Sequence, residues 1–120
     1  MKYLLMILLV LPLSLEASVE SKSAIRTGQD YVERCGFFKD FKKIVTMSDS
    51  QKEDFHYCSG FTDALITSNI EGKNICPKEP IYIIHVLQIF TAIERKQPEA
   101  MQASAHILIK EGLSRVFPCK

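Results

Sequence analysis

The chain has 120 residues, 47% of them hydrophobic and 24% charged, which gives room for one small globular domain with a buried core and excludes both a second domain and a disordered tail. Lys and Arg number 15 against 14 Asp and Glu, for a formal net charge of +1. No nucleic-acid partner is expected, because phosphate recognition rests on a concentrated positive surface.

Met1-Lys2-Tyr3 places one positive charge ahead of the apolar stretch Tyr3–Leu15, and Glu16-Ala17-Ser18 comes next. This is the layout of a secretory signal. The stretch is shorter than the roughly 20 residues of a membrane-spanning helix and contains Pro12. We therefore expect residues 1–17 to be a cleaved signal peptide and residues 18–120 to be the exported domain, with no membrane segment once the signal is removed.

A first helix is predicted from Ala24 to about Phe38, with Ile25, Tyr31, Val32 and Cys35 on one side and Gly28 as its weak point. Lys39–Met47 has no clean period. Ser48-Asp49-Ser50 supplies N-cap side chains, and Glu53 stands at capping-box spacing from Ser50, so a second helix should start here and run to about Asn69. Phe55, Cys58, Phe61 or Thr62, Leu65 and Asn69 share one face of it, and Gly72 is its expected end. Cys76-Pro77 and Pro80 mark a short link.

The third helix, Ile81–Lys96, carries a core stripe of Ile83, Val86, Leu87, Phe90 and Ile93. Ile81, Ile84 and Ile89 add apolar surface on other sides, so this helix needs cover. The β-branched run Ile81–Ile84 is the one place where a strand competes. Pro98 opens a fourth helix that continues to about Phe117, with Met101, Ala105, Leu108, Ile109, Leu113 and Val116 on its buried side. Pro118 stops it.

These elements define an all-α fold, a compact four-helix, up-and-down-like domain. Four cysteines, Cys35, Cys58, Cys76 and Cys119, all lie beyond the signal, and an even count in a short exported chain points to two disulfides. Three pairings exist. An up-and-down topology returns the end of the fourth helix to the start of the third and sets the end of the first beside the early second, which favours Cys35–Cys58 and Cys76–Cys119. Each bridge should contribute roughly 3 to 4 kcal/mol.

No metal or cofactor is expected: the cysteines form no Cys-x-x-Cys pair, and His56, His85 and His106 lie at no recognised ligand spacing. His56, with Glu53 and Asp63 about it, lacks a nucleophile or oxyanion site, and Ser59, Ser104 and Ser114 lack a nucleophile elbow, so no catalytic residue is assigned. Lys39, Lys42 and Lys43 read as a solvated basic face. A competing reading, a helical carrier for a small apolar ligand, requires an open pocket lined by Phe55, Phe61, Leu87, Phe90 and Leu108.

From Tyr57 onward the sequence resembles the Rap/Tai family of immunity proteins from bacterial type VI secretion systems. The resemblance rests on Cys58-Ser59-Gly60-Phe61 with Asp63-Ala64, on Cys76-Pro77, on the apolar helix ending in Gln97-Pro98-Glu99, and on the closing Phe117-Pro118-Cys119. Cys35 looks like the family's first cysteine. Phe61 stands where Tyr is usual, and Gln97 where His often precedes the proline. The resemblance implies a periplasmic, non-enzymatic protein that binds a cognate peptidoglycan amidase toxin, covers its active site and protects the producing cell. The segment Glu71, Lys73, Asn74 and Ile75, held between the second helix and Cys76, is the candidate toxin contact, and the all-round apolar third helix is the candidate homodimer surface.

Overall fold

A computed structural model describes residues 24–120; the expected signal peptide lies outside this range. Five α-helices run in order: α1 Gly28–Cys35, α2 Phe41–Val45, α3 Asp49–Glu71, α4 Ile83–Lys96 and α5 Ala105–Val116. Short 3-10 turns occupy Gly36–Lys39 and Pro98–Gln102. Among the described residues there is no β-strand beyond one isolated antiparallel bridge between Thr27 and Ser104, so the strand alternative at Ile81–Ile84 falls away.

Each start is set by local chemistry. Thr27 and Asp30 form a full capping box at α1: the Asp30 amide donates to Thr27 Oγ1 at 3.1 Å, and the Thr27 amide donates to Asp30 Oδ2 at 3.0 Å. Backbone N–H groups of Thr27 and Arg26 hold the Asp30 carboxyl below the usual carboxylate range. The α3 capping box is Ser48 with Gln51, not Ser50 with Glu53. Both spacings are present in the sequence, and the chain uses the earlier one. The segment without a clean period contains α2, started by Asp40, whose carboxylate accepts from the Lys42 amide at 3.0 Å.

The core gathers on α1, which packs against α3, α4 and α5. Tyr31 and Cys35 are fully buried there, with Cys58 and Thr62 of α3, Val86, Leu87 and Phe90 of α4, and Ala105, Ile109 and Leu113 of α5. The buried line of α3 is Cys58, Thr62, Ile66 and Asn69, one step round from the predicted Leu65 line, with Phe61 and Leu65 packed partly buried beside it. Two glycines permit close approach. A Cβ on Gly28 would lie 2.7 Å from Leu108 Cδ1 and 3.0 Å from Phe90 Cε1, and one on Gly112 would lie 2.4 Å from Ile89 Cγ2. Gly28 is therefore the contact that lets α1 seat on α4 and α5, at the helix start rather than in its middle.

The predicted fourth helix is broken. Pro98–Gln102 is a 3-10 turn, and Ala103 is extended (φ −73°, ψ 164°) before α5 begins. The break exposes two backbone groups that the N-terminal segment satisfies: the Gly28 amide donates to the Ala103 carbonyl at 3.1 Å, and the Ala105 amide donates to the Arg26 carbonyl at 2.9 Å. Val116, expected in the buried stripe, lies at the helix end and is 58% exposed.

Two disulfides staple the bundle, Cys35–Cys58 across 23 residues and Cys76–Cys119 across 43. The first joins α1 to α3. The second ties the α3–α4 connection to the segment after α5, as the up-and-down topology requires.

Candidate partner-binding surface

The connection after α3 is a firmly held loop. Gly72 caps the helix with φ −75°, and Lys73, at φ 57°, takes the left-handed turn instead. Asn69 organises the turn from inside. Its side-chain amide donates to the Leu65 carbonyl at 2.8 Å, its Oδ1 accepts from Asn74 Nδ2 at 3.2 Å, and its carbonyl accepts from the Asn74 amide at 2.9 Å. Asn69 is buried, and these bonds satisfy it. Glu71, Lys73 and Asn74 are exposed on this turn.

Ile75 is not. It is 1% exposed and belongs to the core, so its side chain is removed from the predicted contact set. An aliphatic residue on a short loop between a polar turn and a cystine anchors the loop by burial. Next to it, the Cys76 amide donates to the Phe117 carbonyl at 2.9 Å, which joins the loop to the end of the chain beside the Cys76–Cys119 bridge.

A row of rings lies beside this clamp. Phe117 meets His85 edge-on at 6.4 Å between centroids, and Tyr82 stacks on His85 at 5.9 Å. His85 is fixed by local structure: its Nδ1 accepts from the Tyr82 amide at the start of α4 at 2.9 Å, which places the ring proton of the neutral form on Nε2. Tyr82 itself is 60% exposed. Sequence reasoning missed Tyr82, although a tyrosine just past a proline-bounded link and one residue before an apolar helix is a legible signal.

The other histidines serve different ends. His106 is exposed, its ring meeting that of Phe61 edge to face at 5.5 Å between centroids. His56 is exposed beside Phe55. Among the described residues, no three His, Cys, Asp or Glu side chains converge as a metal site. Of the basic cluster, Lys42 and Lys43 are exposed and Lys39 donates to Thr91 Oγ1 on α4.

A second surface feature is an open groove of about 500 Å³ between the C-terminal halves of α4 and α5. Ile89, Ala92, Ile93, Leu108 and Val116 line it, and Lys96, Glu111 and Arg115 edge it. It shares only Leu108 with the pocket that the carrier reading requires; Leu87 and Phe90 are fully buried, and Tyr31 packs its ring 4.8 Å from that of Phe90. The same Tyr31 ring lies 6.1 Å from that of Phe61.

Taken together, these features define a disulfide-stapled, all-helical domain with a preformed loop at one end. A family profile for Rap1a immunity proteins matches residues 27–119, which takes in all five helices and all four cysteines. The chain belongs to that family of immunity proteins. No curated protein and no solved structure matches the chain significantly. No helix among the described residues is long and apolar enough to cross a membrane.

Proposed function

We propose that this chain is exported by its N-terminal signal, residues 1–17, and that residues 18–120 act in the periplasm as the immunity partner of a type VI peptidoglycan amidase toxin. The observation that carries this reading is membership of the immunity family across nearly the whole helical domain. Inhibition works by occlusion rather than catalysis. The protein presents Glu71, Lys73 and Asn74 on a turn whose backbone is fixed before the partner arrives, so little ordering entropy is lost on binding. Tyr82, exposed beside the same clamp, supplies the kind of aromatic side chain that concentrates binding energy. A homodimer through the exposed side of α4 and the α4–α5 groove is part of the same proposal.

The direct test is periplasmic co-expression with exported cell-wall amidases, the gene neighbouring this one first. Protection and a stable complex are expected, and a protein that neither binds nor protects against any such amidase defeats the reading. Within a complex, Glu71→Ala combined with Lys73→Asn should weaken binding at least about tenfold while leaving the melting curve in place. Asn is chosen at position 73 because it tolerates the left-handed backbone. Undiminished affinity in that variant would move the contact to another face.

A further inference from the structure

The two bridges sit in opposite surroundings. Cys35 and Cys58 have no exposed surface, whereas Cys76 and Cys119 are both exposed. Thiol–disulfide exchange needs an incoming thiolate to approach along the S–S axis, so a buried bridge reacts only after the structure around it opens, while an exposed one reacts in the folded state.

We infer that Cys76–Cys119 is a thiol–disulfide exchange site, opened by a dithiol reductant while the helical domain stays folded on Cys35–Cys58. In the first step the reductant's thiolate attacks one sulfur, forms a mixed disulfide with it and expels the other as a thiolate. In the second, the reductant's remaining thiol, deprotonated, attacks its own bound sulfur, releases the second cysteine and leaves as a cyclic disulfide. Two protons from the dithiol end on the two cysteines, and two electrons pass to the protein.

The geometry assigns the direction of attack. Cys119 Sγ lies 3.5 Å from the carbonyl oxygen of Lys73, a place where the oxygen's partial negative charge opposes a thiolate. Cys76 is therefore the leaving group, and Cys119 carries the mixed disulfide. Once reduced, the Cys119 S–H can donate to that same carbonyl, so the released tail keeps a hydrogen bond to the loop.

What holds the loop does not depend on the bridge. Ile75 is in the core, Asn69 binds the Asn74 backbone and side chain, and the Cys76 amide reaches the Phe117 carbonyl. Opening leaves residues 118–120 tied to the loop only through the Cys119 contact with the Lys73 carbonyl and leaves the Glu71–Asn74 turn in place. The inference is independent of what the turn binds.

Treating the full oxidised chain with dithiothreitol, quenching at intervals with iodoacetamide and mapping the peptides tests it. Cys76 and Cys119 should be alkylated together, at least about tenfold faster than Cys35 and Cys58, with far- and near-UV circular dichroism unchanged. Equal rates for the four cysteines, or alkylation only as the dichroism is lost, would overturn the inference. A variant carrying Cys76→Ser and Cys119→Ser should lose the fast phase and keep the slow one; a fast phase that survives in it counts against the site. With glutathione, a monothiol that stops at the first step, the adduct is expected on Cys119, and an adduct on Cys76 would refute the assigned direction.

Discussion

The α1–α3 half of the molecule and the loop-to-tail end each carry one disulfide, and the two show that loop length and burial rank cross-links in opposite orders. Loop closure alone favours the Cys76–Cys119 bridge, whose 43-residue loop is worth about 4 kcal/mol against about 3 for the 23-residue loop of Cys35–Cys58. Burial reverses the ranking. Around Cys35–Cys58 the cystine is itself part of the core, beside fully buried Tyr31 and Thr62, so its removal also leaves badly solvated space. Around Cys76–Cys119, water can take the place of whatever is lost.

Removing each bridge by paired serine substitution gives the widest test of that contrast. Cys35→Ser with Cys58→Ser should cost about 5 kcal/mol or more, the loop term plus roughly 1 to 3 for each buried hydroxyl lacking a partner, and so approach the whole stability of a small domain. The pair Cys76→Ser and Cys119→Ser should cost no more than about 4 kcal/mol. Urea titrations followed by circular dichroism give both values, and a larger loss at the exposed bridge would break the comparison.

An alkaline titration sharpens it. Burial pushes the Tyr31 phenol up from 10.0 to about 12, against the opposing pull of its hydrogen bond with Thr62. Because the fold favours the neutral phenol, the associated stability is fully present below pH 10 and drains away as pH climbs from 10 to about 12. The loss is on the order of 2 kcal/mol. Tyr31→Phe should flatten this limb of the stability profile, and an unchanged limb would remove Tyr31 from the account. The smallest effect concerns the partner: Tyr31 Oη and Thr62 Oγ1 are 2.7 Å apart with both residues fully buried. Thr62→Val strands the phenol and should cost about 1 to 3 kcal/mol in the same urea assay, whereas a neutral result would show that the phenol finds another partner.

Helical period and topology made much of this fold legible. The stripe Val86, Leu87 and Phe90 is buried as its spacing requires, as are Met101, Ala105, Leu108, Ile109 and Leu113, and the two cystine pairs are those that antiparallel neighbours bring together. Position 103 was not legible. Its extended backbone is set where its carbonyl accepts from the Gly28 amide and the neighbouring Ala105 amide donates to the Arg26 carbonyl, a contact between distant parts of the chain that leaves no mark in local propensity. The capping box at α3 was ambiguous because Ser48–Gln51 and Ser50–Glu53 have identical spacing. Of the candidate contact residues, exposure of Glu71, Lys73 and Asn74 suits a polar turn, while burial of Ile75 depends on packing from other elements that the loop sequence alone does not specify.

The Thr27–Ser104 bridge fixes where the folded unit has to begin. A chain trimmed to start at Gly28 would leave the Ala105 amide without the Arg26 carbonyl, α1 without its Thr27 cap, and a gap where Ile25 is buried and where its amide donates to the Tyr57 hydroxyl at 3.2 Å. A junction or cut placed between Ile25 and Gly28 therefore breaks these contacts, and the seam closed by these few residues works as a latch between the first helix and the last.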